Sequence, residues 1–444
     1  MKNTSECDIA VIGGGPAGST AAALLADRGY RVTLLEKAHH PRFHIGESLL
    51  PANLPLFEKL GVAKEVKAIG MEKWGADFIS PWHEYRQQFE FADAMDKTMP
   101  MAYQVRRSEF DEILIRNASR KGALVVEGCR VQNVEFLSGD AGVLIYARHE
   151  DGSQEIVRTR FVLDASGRDT FLGNQLKIKR RNRKHNSAAI YGHFTGAERN
   201  TGKTAGNIAI YWFAHGWFWF IPLADGANSV GAVVWPHYLK NRKEKSLDAF
   251  FLETITLCKP IQARLQQASL LAPAEATGNF SYECVQTHGH NYLLLGDAYA
   301  FIDPVFSSGV MLAMQSAFVG ADTVDACLRH PQRAAAALKF FDKSMRIGPG
   351  MFSWFIYRVT NPVMRDMFME PRNLFRVKEA LLSVLAGDIY GKTPIKIPLF
   401  IFKGIYYAQS LVYWRRTLKS WRMHKNDIRV VIDATSVVDS VAKL

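Results

Sequence analysis

The chain has 444 residues, 48% of them hydrophobic and 22% charged, which excludes a disordered protein and allows one large domain or two. It contains no run of about 18 apolar residues, so the sequence predicts no transmembrane helix. The formal net charge of +12 favours acidic partners, such as a membrane surface, a nucleic acid or an acidic protein.

The cysteines and the N-terminus indicate the compartment. The five cysteines are scattered, with no Cys-x-x-Cys pair and no ligand spacing, which argues against a metal site and suits reduced thiols. The first residues lead almost directly into an apolar strand and leave no room for a signal peptide. We therefore expect a cytoplasmic protein without a metal.

The N-terminal segment predicts a strand–turn–helix–strand unit that binds a dinucleotide. An apolar strand over 8–12 runs into a turn with the spacing G-x-G-x-x-G. The three glycines allow, in order, the tight turn, the close approach of a pyrophosphate and the packing of helix on strand. The next strand ends at an acidic residue placed to accept from ribose hydroxyls, which favours FAD or NAD over NADP. The residues expected at the cofactor are Gly13, Gly15, Ala17, Gly18 and Glu36.

Two later strands end in acidic residues that fit the same kind of site. An apolar strand ends at Asp164, and another ends in Gly296-Asp297 before a helix that begins near Gly309. Asp297 is placed to accept a hydrogen bond from a ribityl hydroxyl; the alternative is a simple helix N-cap. The helix at Gly309 would direct its N-terminal amides towards the pyrimidine end of a flavin.

In order and spacing these pieces resemble the glutathione-reductase-like FAD proteins, in the branch that includes the aromatic hydroxylases. The resemblance implies an α/β (α+β) fold: a Rossmann-like FAD-binding domain, an inserted β-sheet substrate region and a helical C-terminal region. We expect the FAD-binding domain within residues 1–330, built from 1–75, 100–175 and 285–330, with substrate-sheet insertions at 76–99 and 185–284. Residues 331–444 are expected to form helices that cover the substrate pocket.

An arginine at the start of another helix is also expected at the cofactor. Arg107 follows a strand end and is well placed for the FAD pyrophosphate or adenine, and in the family an arginine of this element contacts the cofactor. The adjacent Arg106 leaves the choice open by one position.

Four further motifs resemble the flavin-dependent halogenases, and the branch that acts on phenols and pyrroles more than the free-tryptophan branch. The segment "GDIYGKTP" (387–394) also looks like a C-terminal segment of that branch. The four motifs are "FHIGESLLP" (43–51), "MEKWGADF" (71–78), "WFWFIP" (217–222) and "DPVFSSGV" (303–310).

The resemblance implies the chemistry and the residue roles. Reduced FAD, supplied by a separate flavin reductase, reacts with O₂ and chloride or bromide to give hypohalous acid, which is relayed to Lys73 for electrophilic halogenation of a small aromatic substrate. Halide would bind at the backbone of Ser307, Ser308 and Gly309. In the family a W-x-W-x-I-P motif forms the wall between flavin and substrate, and its residues here are Trp217, Trp219, Ile221 and Pro222. The tunnel between them would be lined by Gly46, Glu47, Ser48, Pro304 and Phe306.

One position departs from the free-tryptophan branch. Those enzymes carry a glutamate in the flavin loop that pairs with the lysine, and the matching residue here is Phe306. The phenol and pyrrole branch also lacks this acid, which supports the assignment. The identity of the residue that deprotonates the substrate stays open. Glu47 is the nearest acid by motif, but its motif favours a place in the tunnel wall over a role as a base.

Ordinary interpretations compete with these. The aromatic strand alone would be a core strand, an isolated lysine a solvated surface residue, and the two serines turn or cap residues. At the level of function, the alternatives are a single-component aromatic hydroxylase of the same fold and a non-catalytic flavoprotein. No second complete nucleotide motif occurs in the sequence, so we expect no stable NAD(P)H site.

The C-terminal segment 400–429 interleaves aromatic and basic residues, and a second basic run spans 177–185. Neither segment belongs to a recognisable nucleic-acid-binding module, so we expect no nucleic acid partner. We favour an acidic acyl or peptidyl carrier protein that presents the substrate, because a basic face steers acidic partners. Peripheral membrane contact by an amphipathic tail and an ordinary basic surface are the alternatives.

Overall fold

Short apolar runs build the strands on which the molecule is assembled, and longer amphipathic segments build its helices. The computed structural model describes residues 3–427 except 85, 140, 243, 245, 279, 280 and 392. The strands are β1 (Asn3–Glu6), β2 (Ile9–Ile12), β3 (Val32–Leu35), β4 (Met71–Lys73), β5 (Gly75–Ile79), β6 (Arg86–Glu90), β7 (Ala102–Gln104), β8 (Leu124–Val126), β9 (Cys129–Phe136), β10 (Val143–His149), β11 (Gln154–Thr159), β12 (Phe161–Asp164), β13 (Lys179–Arg181), β14 (Ala188–Thr195), β15 (Ile208–Phe213), β16 (Gly216–Pro222), β17 (Asn228–Val234), β18 (Ser269–Leu270), β19 (Glu275–Gly278), β20 (Tyr282–Cys284), β21 (His288–Gly289), β22 (Tyr292–Leu294) and β23 (Ala300–Phe301).

The helices alternate with strands up to residue 330 and follow one another after it. They are α1 (Pro16–Asp27), α2 (Leu54–Leu60), α3 (Ala63–Ile69), α4 (Arg107–Arg120), α5 (Phe171–Gln175), α6 (Pro236–Lys240), α7 (Leu247–Thr256), α8 (Lys259–Arg264), α9 (Gly309–Arg329), α10 (Pro331–Ile356), α11 (Pro362–Met369), α12 (Val377–Leu385), α13 (Lys396–Val412) and α14 (Trp414–Asp427). The predicted α/β class is confirmed.

A mostly parallel sheet forms the first layer. Its strand order is β21-β22-β12-β2-β3-β8, and all neighbours in it run parallel except β21 and β22. Strands β2, β3 and β12 are buried at every position, as expected for strands covered on both faces. Because parallel strands end at the same edge, the loops after β2, β3, β12 and β22 converge there.

A second, mixed sheet follows the order β18-β14-β17-β16-β15-β5-β6, with β19 also paired to β14. The aromatic motif forms β16, near the middle of this sheet, and every residue of β16 is buried. Trp217, Trp219 and Ile221 pack in one hydrophobic core with the C-terminal helices, while Phe218 and Phe220 pack in another on the opposite face. The strand therefore has two faces, each against its own core.

The remaining strands form smaller sheets, and the C-terminal helices cover the second sheet. The small sheets have the orders β1-β11-β10-β9, β13-β20-β23 and β4-β7. Helix α10 brings Phe352 and Phe355 against Phe306. In the part of the chain that the structure describes, no helix is both long and apolar enough to cross a membrane. The predicted segments 387–394 and 400–429 each include residues outside the described ranges, namely 392 and 428–429.

Replacing Gly231 by alanine tests the packing of the aromatic strand. A Cβ at Gly231 in β17 would lie 2.1 Å from the Trp219 ring, so Gly231→Ala forces this ring to move. We expect the variant to lower the free energy of unfolding by about 1–3 kcal/mol, the usual cost of overpacking. Unfolding in urea, followed by tryptophan fluorescence, measures the change.

The matched control is Gly350→Ala in helix α10, where an added Cβ meets no atom within 4 Å. Alanine replaces glycine in a helix there, so the control should keep or raise stability, by up to about 1 kcal/mol. Equal unfolding midpoints for Gly231→Ala and the unmodified protein would contradict the packing described for Trp219.

Candidate active site

The turn after β2 has the geometry that a dinucleotide requires. Gly13 has φ +100°, and a Cβ there would lie 2.5 Å from the carbonyl oxygen of Ala165. A Cβ at Gly18 would lie 1.9 Å from the carbonyl oxygen of Gly13, so both positions need glycine. A Cβ at Gly15 would meet only Arg42, at 3.9 Å, and this glycine opens onto a cavity.

Glu36, directly after β3, is held at the same edge of the sheet. Its buried carboxylate accepts hydrogen bonds from the backbone N–H groups of Gly14 (2.6 Å) and Ala38 (2.9 Å). The Arg42 Nε lies 4.0 Å from Glu36 Oε1. Glu36 and Arg42 both line the cavity, so an acidic and a basic side chain lie at the end of the cavity next to the turn after β2.

The cavity runs from this turn to the start of α9 and has a volume of about 630 Å³, within the range of ligand pockets (~300–1,000 Å³). Its wall draws on the parallel sheet, the loops at its carboxyl edge, the second sheet and helix α10. The predicted site residues that line it are Gly13, Gly15, Ala17, Glu36, Gly46, Glu47, Ser48, Arg107, Trp217, Trp219, Ile221, Asp297, Pro304, Ser307, Ser308 and Gly309. The others do not line it and are Gly18, Lys73, Pro222 and Phe306.

Asp297 faces the cavity from the loop after β22. Burial raises the pKa of its carboxyl to about 6, against the opposing charges of Arg168 and Arg107. No side-chain hydrogen bond to this carboxylate is formed within the described part of the chain. An acceptor of this kind is available to a hydroxyl group of a ligand.

Arg107, at the start of α4, also lines the cavity. Its guanidinium donates to both carboxylate oxygens of Asp111 (2.7 and 2.9 Å) and to the carbonyl of Ile45 (2.9 Å). These contacts tie the segment before Gly46 to α4. Arg106 instead pairs with Asp225 and does not line the cavity.

The loop "DPVFSSGV" forms the far end of the cavity. The Asp303 side chain accepts from the backbone N–H of Val305 (3.1 Å) and so caps the short turn before Ser307. Ser307 has φ +54°, and α9 begins two residues later, so its first N–H groups lie at the cavity wall. Behind the loop, His185 Nε2 donates to Asp303 (2.8 Å).

The segment Gly46–Glu47–Ser48 borders the cavity on the side of Lys73. Glu47 is buried and accepts from His193 Nε2 at 2.9 Å. Ser48 Oγ accepts from Lys73 Nζ at 2.9 Å. Ser48 therefore stands between the cavity and Lys73.

Lys73 is enclosed in the protein. The residue is 1% exposed, and its Nζ donates to Ser48 Oγ and to the carbonyl of Leu49 (3.0 Å), 5.2 Å from the centre of the Phe91 ring. Among the described residues it forms no ion pair. Burial lowers the pKa of its ammonium group to about 7. A buried, uncompensated lysine with such a pKa is typical of functional sites.

Several residues that line the cavity or support its wall escaped the sequence analysis. Arg42 follows β3 closely, and its basic side chain near a predicted phosphate site was a usable signal. Arg168, four residues after the end of β12, gave a similar signal. The contact of His185 with Asp303 spans 118 positions, and no local pattern announces it.

Comparison with known proteins identifies the family. The sequence profile described as "Tryptophan halogenase" matches residues 8–98 and 84–361, which is more than half of the chain. The "Tryptophan 2-halogenase" of Chondromyces crocatus is 34% identical over 354 residues, which are 77% of this chain but only 66% of that protein. The "1H-pyrrole-2-carbonyl-[peptidyl-carrier protein] chlorinase" of Pseudomonas fluorescens is 28% identical over 88% of this chain and 91% of its own.

A solved structure agrees with these relatives. The myxobacterial chondrochloren halogenase CndH, described as a variant of FAD-dependent halogenases, is 33% identical. The two structures superpose with a TM-score of 0.76 over 88% of this chain and 92% of that one. The resemblance inferred from the motifs is confirmed, and the chain belongs to the flavin-dependent halogenase family.

Proposed function

We propose that the protein uses FADH₂, O₂ and chloride or bromide to halogenate an electron-rich aromatic compound of the phenol or pyrrole type. The observation that carries this proposal is the buried Lys73, which has no acidic partner among the described residues and is joined through Ser48 to the cavity that begins at the dinucleotide turn. A separate flavin reductase would supply the reduced cofactor.

The residues present fit FAD. Gly15 leaves room for a pyrophosphate and Arg42 supplies a positive charge beside it. Glu36 would accept from the ribose hydroxyls and the unpaired Asp297 carboxylate from a ribityl hydroxyl. When bound and reduced, FAD would supply two electrons to O₂, which would oxidise the halide to hypohalous acid, with the second oxygen atom released as water.

The start of α9 is the proposed halide site. The N–H groups of Ser308 and Gly309 lie at the start of a helix of 21 residues, and the N-terminus of a helix favours anions. The N–H of Ser307 donates to the carbonyl of Pro304 at 2.9 Å, so Ser307 would contribute through its position in the turn. Asp303 fixes the turn that leads into these residues, because it accepts from the Val305 N–H.

The aromatic strand is the proposed partition. Trp217, Trp219 and Ile221 present bulky apolar surface to the cavity, while Lys73 lies outside it. The Trp219 ring is held by its Nε1–H, which donates to Ser229 Oγ at 3.2 Å, and by Gly231. This wall would keep the substrate away from the flavin. Hypohalous acid, the smaller species, would diffuse from the flavin to the substrate.

Lys73 is the proposed catalytic residue. An ammonium has three N–H donors, and two of those of Lys73 are used by Ser48 and Leu49. The third is free to donate to hypohalous acid, which makes its halogen more electrophilic. The ring carbon then forms the bond to halogen, the oxygen leaves as water, and the ring proton is lost.

The substrate is free or attached to an acyl or peptidyl carrier protein. A relative whose name specifies a pyrrole on a peptidyl-carrier protein supports the attached form. No carboxylate pairs with Lys73 in the described ranges, and Phe306 fills the position of the acid in the flavin loop. An electron-rich ring, which needs little help from a base, suits such a site.

The reaction class is tested by product analysis. The purified protein is incubated with a flavin reductase, FAD, NADH, mixed chloride and bromide, and free or carrier-bound phenol and pyrrole acids. We expect a product whose mass spectrum has the isotope pattern of chlorine or bromine, formed only when halide and reductase are both present. A product with added oxygen and no halogen would contradict the proposal and favour a hydroxylase.

The role of Lys73 is tested by Lys73→Met. We expect halogenation to fall by about 10²-fold or more, the usual contribution of a positioned proton donor, while FAD content stays unchanged. Lys67→Met, on the exposed face of α3, is the control and should retain full activity. Full halogenation by Lys73→Met with reductase supplied would overturn the assignment.

The pH dependence distinguishes the two ways in which a lysine could act. Because the pKa of Lys73 is lowered to about 7, the ammonium form is lost as the pH rises through 7. A hydrogen-bond donor requires the ammonium, so the rate of halogenation from pre-reduced FAD in a single turnover should fall above pH 7. A rate that rises with pH instead would indicate a neutral amine that carries the halogen as a haloamine.

Cofactor binding tests Asp297. The carboxylate is the better acceptor when ionised, so FAD affinity should fall as the pH drops below the pKa of about 6. Asp297→Asn should weaken FAD binding by about tenfold at pH 8, consistent with a hydrogen bond to a charged group, and should abolish this pH dependence. Flavin fluorescence titration measures both, with the exposed Asp322→Asn as control. An unchanged pH profile in Asp297→Asn would contradict the role.

A further inference from the structure

Helix α13 is apolar on two opposite sides. One side packs on the protein through Leu399, Phe402 and Tyr406, which are all buried. The other side carries Ile397 and Phe400, with 75% and 77% of their surfaces exposed. A helix that is hydrophobic all round belongs in a core or in a lipid environment, and only one side of α13 has a core.

The outer side of α13 is a continuous stripe. Exposed positions follow one another at spacings of three and four residues, so they lie along one helix face. At the end of the helix, 75% of Leu411 and 73% of Val412 are exposed. The members of the stripe are Ile397, Phe400, Gly404, Tyr407 and Leu411.

Helix α14 has its polarity reversed. Its half-buried side chains are polar except for Leu418: Thr417, Ser420, His424 and Asp427. The His424 ring packs 4.9 Å from the ring of Trp235. Three of its large apolar side chains, Trp414, Trp421 and Met423, are each more than half exposed. No residue of α14 is buried, so the helix contributes nothing to the core.

The same surface is strongly basic. From residue 396 to residue 426 the sequence contains no aspartate or glutamate. Arg416 pairs with Asp366 of α11, while Arg415 and Lys425 lie over the exposed rings of Trp414 and Trp421. The basic residues of the two helices are Lys396, Lys403, Arg415, Arg416, Lys419, Arg422 and Lys425.

We infer that the outer face of α13 and α14 binds the surface of an anionic membrane. Exposed aliphatic and aromatic side chains would enter the boundary between headgroups and acyl chains, and the lysines and arginines would contact anionic headgroups. Tyr407, Trp414 and Trp421 are of the residue types that prefer this interface. The described helices do not span a bilayer, so the protein lies on the membrane.

Two other occupants fit less well. A second copy of the chain would bring two basic surfaces together, and like charges repel across an interface. An acidic carrier protein matches the charge, but Ile397, Phe400 and Leu411 project from a convex helix and would need a complementary groove, whereas a bilayer surface accepts them without one. The inference does not depend on the halogenation chemistry.

The test is binding of the full-length protein to lipid vesicles, measured by co-sedimentation. We expect binding to vesicles of phosphatidylcholine with phosphatidylglycerol, weaker binding at high salt, and little binding to phosphatidylcholine alone. The double variant Phe400→Ser/Leu411→Ser should lower the partition coefficient by about tenfold or more, because each side chain loses its apolar burial. Lys419→Glu/Arg422→Glu should weaken binding to the anionic vesicles only.

The matched control replaces leucines of similar type on another surface. Leu252 in α7 and Leu257 directly after it are 48% and 50% exposed, and Leu252→Ser/Leu257→Ser should bind as the unmodified protein does. All three double variants should keep their FAD content, which shows that they are folded. No binding to anionic vesicles, or equal binding by Phe400→Ser/Leu411→Ser, would overturn the inference.

Two further outcomes would replace it with another partner. Concentration-dependent dimers in analytical ultracentrifugation that Phe400→Ser/Leu411→Ser abolishes, without vesicle binding, would assign the surface to a second copy. Binding to an acidic carrier protein that the same variant abolishes, again without vesicle binding, would assign it to that protein.

Discussion

The hydrogen bond from Lys73 to Ser48 joins the cavity to a closed interior that has no acid paired with the lysine among the described residues. Ser48 belongs to the wall of the cavity, and Lys73 belongs to the strand that leads into the second sheet. The lysine lies in the two-stranded sheet of β4 and β7 and is enclosed by Ser48, Leu49 and Phe91. Its 2.9 Å contact with Ser48 is therefore the direct link between the cavity and the buried amine.

Burial without a counter-charge is costly, and it explains the character of the lysine. In water an amine of this type is fully protonated at neutral pH, whereas the loss of solvation brings the pKa of Lys73 to about 7. A carboxylate next to it would return the pKa towards its usual value. Around Lys73 the described contacts are the Ser48 hydroxyl, the Leu49 carbonyl and the Phe91 ring, and none of these is a carboxylate.

The sequence predicted those parts of the site whose chemistry depends on local backbone geometry. Gly13, Gly15 and Gly18 follow a steric rule within six residues, and Glu36 ends the next strand, so both could be found by spacing. The aromatic motif indicated a wall or a core strand but not the partners of its two faces: the tryptophan face packs on the C-terminal helices, and Phe218 and Phe220 pack with residues of α7 and α8.

What the sequence could not provide is the set of contacts made between distant segments. The enclosure of Lys73 depends on Ser48 and Leu49 from one segment and on Phe91 from another. The choice between Arg106 and Arg107 for the cavity depended on which side of α4 faces Ile45. The exposure of α13 and α14 was also hidden, because an aromatic and basic sequence does not tell which side of a helix is covered.

The enclosure of Lys73 also has a consequence for chemical labelling. Most lysines among the described residues are exposed, whereas Lys73 is 1% exposed and burial lowers its pKa to about 7, which favours the neutral, nucleophilic amine. Bulky amine reagents from solution would modify the surface lysines first, since they cannot reach Lys73. A small neutral electrophile generated inside the cavity would have the opposite selectivity. Lys73 is thus a nucleophilic amine in an inaccessible position. Reagents from solution do not reach it, whereas an electrophile made in the adjoining cavity would.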